Sequence, residues 1–555
     1  MKRLTKCIAC LILLGLSHAM CVGAAESTTV PHEALETARR MAIQHNGRTK
    51  PLDSFARETL QLITGSPRVA HQDPVETILF IMANPEHWQQ VPLVSVPFIP
   101  LREKLGMQPK ATHISYNDLV ATRKLMRMLP PIVQKQQREE KLSMLEDETM
   151  DAFQRFVALS SLFEQKLALV PPSSGGLDGT WQPILQAESY SREQQEGLRK
   201  AWNTFLAAVR AGDLRVTEAA TELYHQIYYL SAAYPAAWRL QLEVFYNRVG
   251  FFRMAQILYV LAAIGLVLSL TSSASLWTRL GFGSLIVAFL MHGAGIAMRV
   301  ILGGRPPVSN FFETTLWLPF VAVVIALILE RVYRTRYIAL AAAMLAAITL
   351  VLAEHLPLDS SISPVVAVLH SNLWLTIHVL TIVASYGALA LATVLAHVYG
   401  WLYLGKRSAH ASLPLLGAFL YRVIKVGVVL LASGIMLGAV WANASWGRYW
   451  GWDPKETWAL ITLLWFLALL HGRSKIRGRS SGWIRGVGVA LWTITGFFLL
   501  LMTYYGVSFY LVGLHSYAGG HAKPLPPLLI GYLIAELAFL AAVGLAALSR
   551  RRIAS

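Results

Sequence analysis

Residues 423–471 decide the fold: VIKVGVVLLASGIMLGAVW (423–441), ANASWGRYWGWDPKE (442–456) and TWALITLLWFLALLH (457–471). The first and third parts are apolar and approach the roughly 20 residues that a helix needs to cross a bilayer. The middle part contains Trp446-Gly-Arg-Tyr-Trp-Gly-Trp-Asp-Pro-Lys-Glu456, in which three tryptophans, a tyrosine and two glycines occur together. We interpret it as an aromatic loop at a membrane surface, between two spans.

The composition indicates an all-α polytopic membrane protein. Of 555 residues, 55% are hydrophobic and 15% are charged, which is too apolar for a soluble protein of this size. About nine apolar cores predict transmembrane helices, and together they make residues 251–555 one membrane domain. The cores lie near 254–273, 280–298, 314–330, 337–354, 373–400, 423–441, 457–471, 486–505 and 526–548.

The first 25 residues predict a secretory signal peptide. Three basic residues precede a short apolar run at 8–16, and Gly23-Ala-Ala25 offers small residues for cleavage,. A retained membrane anchor is the alternative. Cys7, Cys10 and Cys21 all lie in this segment, so a processed chain would have no thiol to bind a metal or to act as a nucleophile.

Residues 26–250 predict a soluble, mostly helical extracytoplasmic domain. Helical periodicity covers Asn117–Met128, Glu139–Leu169 and Glu193–Tyr229,. The run Pro171–Gly179 is rich in proline, serine and glycine, and predicts a linker that divides the region in two,. Histidines are scattered here without a catalytic arrangement, so we interpret the region as a docking domain.

Clusters of basic residues set the expected orientation. Because such clusters favour the cytoplasmic side, the loops between spans that carry them should be cytoplasmic, together with the C-terminus. The clusters are Arg331, Arg334 and Arg336; Lys406, Arg407, Arg422 and Lys425; Arg473, Lys475, Arg477, Arg479 and Arg485; and Arg550, Arg551 and Arg552. The domain 26–250 and the aromatic loop then face the periplasm of a bacterial cytoplasmic (inner) membrane. The net charge of +17 is explained by these loops, so no nucleic-acid partner is expected.

The aromatic loop, taken as residues 441–456, predicts a binding surface for a large planar ligand. A membrane-interface belt accounts for single tryptophans, and it remains the alternative, but it accounts poorly for four in one loop. These are Trp441, Trp446, Trp450 and Trp452. Gly447 and Gly451 remove side chains beside the indoles, and stacking over a whole macrocycle face adds apolar contact. Haem is such a macrocycle.

Two histidines supply the iron ligands that the aromatic loop lacks. His378 lies near the outer start of the fifth predicted span and His515 follows the eighth, so the topology places both on the side of the loop. Neutral imidazole is a common axial ligand of haem iron. A second site deeper in the membrane is suggested by His471, at the cytoplasmic end of the seventh span; His292 and His397 are further candidates,.

The polar residues of the loop have two interpretations. Asp453, Pro454 and Glu456 form a predicted capping box that begins the seventh helix,, and for Asp453 and Glu456 this structural role could be the whole explanation. Arg448 and Lys455 are suited to pair with the two carboxylates of a haem, with snorkelling at the interface as the alternative.

At these residues the chain resembles the CcsA/ResC family of the system II cytochrome c maturation pathway. Trp446-Gly-x-x-Trp-x-Trp-Asp-x-x-Glu456 is similar to the WWD signature of haem-handling proteins. The similarity extends over about 299–521, through the segments Ser309-Asn-Phe-Phe-Glu313, His471-Gly-Arg473 and Gly513-Leu-His-Ser-Tyr517. Asn46–Asp53 resembles a segment that precedes the CcsA part in longer relatives.

The resemblance implies a haem exporter and holocytochrome c synthase, which attaches haem b to the C-x-x-C-H of apocytochrome c. A CcsB/ResB-like membrane protein is the implied partner, and thiol-reducing proteins take part indirectly. His378 and His515 become the external axial ligands, and His471 one ligand of a transmembrane haem whose other ligand could come from the partner. The implied haem-binding surface comprises Trp441, Trp446, Arg448, Tyr449, Trp450, Trp452, Asp453 and Lys455.

Two features separate this chain from the family pattern, and two other functions stay open. The CcsB portion is not found as a separate β-rich region, and Arg305 stands where relatives often have histidine. One alternative is a haem chaperone of another maturation system. The other is a non-enzymatic transporter or anchor subunit in which the histidines bind nothing.

Overall fold

Helices dominate the computed structural model of the chain, and two small hairpins are its only sheets among the described residues. The structure describes residues 30–173, 179–271, 275–356, 358–364, 372–405, 412–473, 484, 486–515 and 527–554. The expected signal peptide and most of the basic loops at 406–411 and 474–483 lie outside these residues. The chain divides into two compact units between Asn247 and Arg248.

The N-terminal unit contains eleven helices and four short strands among its described residues. The helices are α1 (His32–Arg39), α2 (Leu52–Thr64), α3 (Pro74–Ala83), α4 (Pro85–Trp88), α5 (Ile99–Leu105), α6 (Tyr116–Thr122), α7 (Lys124–Gln137), α8 (Met144–Phe163), α9 (Arg192–Ala211), α10 (Val216–Tyr228) and α11 (Ala237–Val249). The strands are β1 (Ala42–His45), β2 (Arg48–Pro51), β3 (Pro92–Ser95) and β4 (His113–Ser115), and they pair antiparallel as β1 with β2 and β3 with β4.

The helices of this unit share one hydrophobic core. Buried residues from both sides of 171–179, such as Leu159 and Phe205, belong to the same cluster, so that segment does not divide the region in two as predicted. The predicted helix over 193–229 is two helices, because Gly212 ends α9 in the left-handed conformation (φ +65°),. A capping box of Ser143 and Glu146 begins α8.

The hairpin of β1 and β2 is joined to α11 by buried charges. Asn46 and Gly47 both have positive φ (52° and 71°), as a two-residue turn of the I′ type requires. Arg48 then donates two hydrogen bonds, of 2.8 and 2.6 Å, to Glu243 on α11. Asp53, which is fully buried, accepts one of 2.9 Å from Asn247. The segment Asn46–Asp53 thus holds the last helix of the unit.

The C-terminal unit is a bundle of long apolar helices. They are α12 (Phe251–Thr271), α13 (Ser275–Gly303), α14 (Phe311–Tyr333), α15 (Tyr337–His355), α16 (Asn372–Leu404), α17 (Ser412–Trp446), α18 (Pro454–Arg473), α19 (Val487–Leu501), α20 (Val507–Tyr510) and α21 (Pro527–Ala554). A π-helical turn, Met502–Gly506, connects α19 to α20 without a break.

Eight helices in the described residues are long and apolar enough to cross a membrane, which makes the chain an all-α multi-pass membrane protein. They correspond to eight of the nine predicted spans, and the exception is α18. Its 20 residues would still extend about 30 Å. It also runs antiparallel to the span α19: Trp465 stacks on Trp492 at 4.4 Å, and Lys455 contacts Ser508. We therefore treat α18 as crossing the bilayer with its neighbour.

Candidate functional site

The aromatic loop is shorter than the sequence suggested. Helix α17 continues through Trp446, and α18 begins at Pro454, so Trp441 and Trp446 are helical and only 447–453 connect the helices. The predicted helix cap is confirmed, with the N–H of Lys455 as the donor to Asp453 where a complete capping box would use the N–H of Glu456. A side-chain oxygen of Glu456 accepts hydrogen bonds from the backbone N–H of Asp453 (3.2 Å) and of Gly451 (2.8 Å), while Asp453 Oδ1 accepts one from the N–H of Lys455 (2.9 Å).

Asp453 does more than begin a helix, since it also holds His515. Its Oδ1 lies 2.9 Å from His515 Nδ1, and its Oδ2 accepts a 2.7 Å hydrogen bond from the N–H of Leu514. Burial alone would raise the pKa of Asp453, but its hydrogen bond with His515 and the backbone donors lower it below its usual range. An ionised carboxylate at Nδ1 makes that nitrogen the donor, which leaves the lone pair on Nε2.

His378 has the same arrangement with a different partner. On α16, its Nδ1 lies 2.9 Å from the carbonyl oxygen of Gly434 on α17, and a carbonyl can only accept, so Nδ1 carries the hydrogen. The ring packs directly on the backbone of α17, because a Cβ atom at Gly438 would lie 2.6 Å from His378 Cε1. Both histidines therefore present Nε2 as the nitrogen that could bind a metal.

Two of the four tryptophans lie beside the histidines. Trp441 is buried and lies beside both imidazoles: its ring centroid is 6.1 Å from that of His378, nearly parallel to it, and 6.1 Å from that of His515. Trp446 lies 4.8 Å from Trp441 and 5.5 Å from His515. The indole N–H of Trp441 has no hydrogen-bond partner among the described residues.

The other aromatic residues of the loop form a separate, exposed group. Trp450 and Trp452 are in edge contact at 5.8 Å, and Trp452 and Tyr449 are 71% and 61% exposed. The exposed guanidinium of Arg448 lies over Gly451, where a Cβ atom would come within 2.8 Å of its Cζ. The predicted surface is thus two surfaces: indoles beside the histidines, and indoles at the edge of the loop.

Lys455 is held by a residue that no sequence pattern selected. Its ammonium nitrogen lies 2.8 Å from the hydroxyl of Ser508, which is fully buried in α20. Gly513 was also missed as a functional position: a Cβ atom there would collide with Asp453 Oδ2. Position 513 must therefore be glycine for Asp453 to reach Leu514 and His515.

The remaining candidate histidines lie in different surroundings. His471 is exposed, with Nδ1 2.9 Å from the carbonyl oxygen of Leu467. His397 has both nitrogens engaged, by the Thr393 carbonyl and by Glu536 on α21 at 2.9 Å. His292 is fully buried among aromatic rings with its Nδ1 3.4 Å from the hydroxyl of Tyr259. Among the described residues, no three His, Cys, Asp or Glu side chains form a metal-binding group.

The two arginines near the start of α14 are engaged in a buried ion pair cluster. Arg299 and Arg305 bind opposite oxygens of Glu313, at 3.0 and 2.6 Å. Asn310 caps α14 by accepting from the N–H of Glu313 at 2.8 Å. The segment Ser309–Glu313 is thus a helix start whose carboxylate fixes both guanidinium groups. Arg305, which occupies the position where relatives often have histidine, has a structural role here.

Comparisons with known proteins identify relatives of the C-terminal unit. Residues 308–515 match the family described as cytochrome C assembly protein. The chain is 36% identical over 251 residues to cytochrome c biogenesis protein CcsA of Prochlorococcus marinus subsp. pastoris, covering 40% of this chain and 77% of that protein. It is 35% identical over 266 residues to CcsA of Guillardia theta, covering 43% and 85%.

A longer relative is similar over both units. Protein NrfI of Wolinella succinogenes is 30% identical over 509 residues, covering 86% of this chain. The chain spans 54% of the length of NrfI. The similarity to the CcsA proteins thus covers less than half of the chain. The similarity to NrfI covers most of the chain.

Proposed function

The chain belongs to the CcsA family of cytochrome c biogenesis proteins, and we propose that it presents haem b between His378 and His515 for covalent attachment to apocytochrome c. Its role in cytochrome c biogenesis follows from the family. The attachment step, the ligands and the partners are our proposals. In this proposal haem is the substrate.

The observation that carries the proposal is the common arrangement of the two imidazoles. Each has Nδ1 fixed by an acceptor, Asp453 or the Gly434 carbonyl. Such partners orient a histidine ligand and raise its basicity. Both rings also contact Trp441, so an apolar, aromatic wall lies where a macrocycle would stack. Trp446 extends this wall on the His515 side.

In this reaction the protein positions the reactants and need not supply a nucleophile. Each cysteine S–H of C-x-x-C-H adds across one vinyl group: a C–S bond forms, the proton goes to the other vinyl carbon, and nothing is released or oxidised. The histidine of the motif would replace one axial imidazole. Holding the vinyl carbons near the thiols lowers the entropic part of the barrier, and the reactive groups belong to haem and apocytochrome.

The resemblance to the CcsA family also supports our proposals for the partners and the orientation. A CcsB/ResB-like membrane protein would act with this chain and supply the ligand opposite His471, whose Nδ1 is held by Leu467. The site would face the periplasm, as would the N-terminal unit, which we propose as a docking domain. Arg448, the exposed Trp452 and its half-buried neighbour Trp450 lie at the edge of the loop, where an apocytochrome would approach.

Replacing both histidines tests the proposal. We expect the wild-type protein, purified with a CcsB-like partner, to show a Soret band of bis-imidazole haem and to yield holocytochrome. The H378A/H515A variant should lose at least the larger part of both. A variant in which Leu415, an exposed residue of α17, is replaced by alanine is the control. Unchanged holocytochrome yield in the double variant would refute the proposal. If the wild-type protein binds haem but yields no holocytochrome, only the proposed role as a haem carrier stands.

A further inference from the structure

The π-helical turn Met502–Gly506 interrupts the regular path of the span that leads to the site. Such a turn contains one residue more than an α-turn and often occurs at functional positions. Across it, residues five apart take the places that residues four apart have in an α-helix. In an uninterrupted α-helix, residues five apart differ by about 140° around the axis.

Before the turn, α19 is fixed in register on α18. The indole N–H of Trp465 donates to the carbonyl of Trp492 (3.0 Å), and that of Trp492 donates to the carbonyl of Trp465 (3.2 Å). Within the turn, Tyr504 binds two hydroxyls of α14, those of Thr314 and Thr315, at 2.9 and 3.0 Å. These contacts prevent the span from rotating as a whole, so the turn alone sets the direction in which α20 presents its side chains.

The turn brings two hydroxyls to one face of α18. Thr503 lies 2.9 Å from Thr462, and Ser508 lies 2.8 Å from Lys455 Nζ. Thr462 and Lys455 are seven residues apart, which is two turns of one α-helix face. Thr503 and Ser508 are five apart, so both can meet that face only because the π turn lies between them.

The hydrogen bonds of the Ser508 hydroxyl also have a defined direction. Ser508 donates its hydrogen to the carbonyl of Tyr504, at 2.8 Å, and its oxygen is then left to accept from the ammonium of Lys455. Lys455 in turn donates its backbone N–H to Asp453, the residue that holds His515. The π turn, Ser508, Lys455 and the histidine site therefore form one connected chain of contacts.

We propose that the π turn is a register device that, through Ser508, positions Lys455 to bind a carboxylate group of the macrocycle. Ser508 is a positioning residue, and the ligand class for Lys455 is an organic carboxylate, which an ammonium binds with a charge-assisted hydrogen bond. This inference rests on the proposed function, and it adds which cation is used and what holds it.

Haem and its dimethyl ester, in which both carboxylates are blocked, test whether Lys455 binds a carboxylate. Variants of Ser508 then test whether this residue positions Lys455. We expect the purified full-length protein to bind haem about tenfold more tightly than the ester, as a hydrogen bond to a charged group would give. In S508A this preference should shrink to less than half, with the bis-imidazole spectrum unchanged. The control is T495A, which removes a hydroxyl from the same span before the turn, where Thr495 donates to the Leu491 carbonyl of its own helix.

Two further variants make the test sharper. K455R should keep the preference for haem over the ester and K455M should lose it, because only arginine retains the charge. Deleting Tyr505 turns Ser508 by about 100° and should reproduce S508A; if that deletion prevents accumulation of the protein, S508A and K455M decide. A full preference in S508A and K455M overturns this inference while the proposed function stands. A wild-type protein without a bis-imidazole spectrum overturns the proposed function itself.

Discussion

The histidine pair, His378 and His515, differs from the span histidines, His292 and His397, in how their nitrogens are used. In the pair, Nδ1 is bound and an indole ring lies beside each imidazole. In His397, Nε2 is bound to Glu536. His292 is enclosed by Phe252, Tyr259 and Phe320, with centroid distances of 5.5–5.9 Å.

Under the proposed function, membrane location alone does not make a histidine a ligand. Ionisable residues in spans are functional candidates by default, and three of the four histidines satisfy that rule, whereas His515 lies just after the end of its span. They are separated by whether a neighbour occupies the nitrogen that would bind iron, and by whether a flat ligand could lie beside the ring. Substitutions can change one of these two conditions at a time.

The largest effect should come from Gly513→Ala, which tests the support of His515. A Cβ atom at this position would collide with Asp453 Oδ2 and lie 3.0 Å from Pro454 Cδ, so Asp453 must withdraw from Leu514 and His515. Losing such a partner lowers metal affinity by about 10–100-fold. We expect haem titration to show that loss and the spectrum of a haem with one imidazole.

The matched control for Gly513→Ala is Gly531→Ala, because a Cβ atom at Gly531 has nothing within 4 Å. It should bind haem like the wild-type protein. If Gly513→Ala keeps the full affinity and the bis-imidazole spectrum, the contact between Asp453 and His515 is not what orients the ligand, and the two groups of histidines differ for another reason.

A smaller effect is expected from Asp453→Asn, which keeps an acceptor and a helix cap but removes the charge. The imidazole of His515 becomes less basic, so haem affinity should fall about tenfold. The pH dependence gives a second test. Because the pKa of Asp453 is lowered, the stability that its charge gives is complete above the ordinary carboxyl pKa, near 3.8. It is lost as the pH falls through the lower folded value.

Hydrogen exchange of the backbone N–H groups of Lys455 and Leu514, both bound to Asp453, measures this dependence. In the wild-type protein, protection after correction for intrinsic rates should be constant from pH 7 to about 4 and then fall. The Asn variant should start lower and show no such fall. Equal profiles in the two proteins would mean that the carboxylate charge contributes nothing here.

The sequence predicted the spans and the helix cap because both depend on short, local patterns. Apolar length defined eight helices, and Asp453, Pro454 and Glu456 defined the start of α18. It could not predict that Asp453 also binds His515, 62 positions later, because that contact depends on how α18 and α20 end against each other. Nor could it separate Trp441 from Trp452, since both lie in one aromatic run.

The π turn was outside the reach of sequence patterns for a related reason. Residues 502–506 contain no proline and fit a continuous helix, and one extra residue in a turn leaves no mark in composition. It becomes visible only through the contacts of Thr503 and Ser508 with α18. Sites built from several helices depend on such register changes, whereas single-helix features do not.

The smallest effect on haem should come from Glu536→Ala, which frees the Nε2 of His397 without making it a ligand. Helix α21 is largely exposed, with Ile534 and Leu537 more than 60% accessible, and Glu536 makes a polar contact with His397 of α16. Phe539 also packs closely on Gly400 and His397. Removing the carboxylate should therefore loosen α21, seen as faster hydrogen exchange over 527–550, because a buried pair has lost one partner.

The Soret band of the Glu536→Ala variant should match the wild-type band, since a free Nε2 at position 397 still has Phe539 stacked on the ring at 5.2 Å. If instead the variant binds a second haem, and if that haem disappears when His397 is also replaced by alanine, then occupancy of Nε2 by Glu536 is what keeps His397 from binding iron. The aromatic neighbours of the pair would then serve orientation alone, because a bare imidazole in the bilayer would suffice to bind iron.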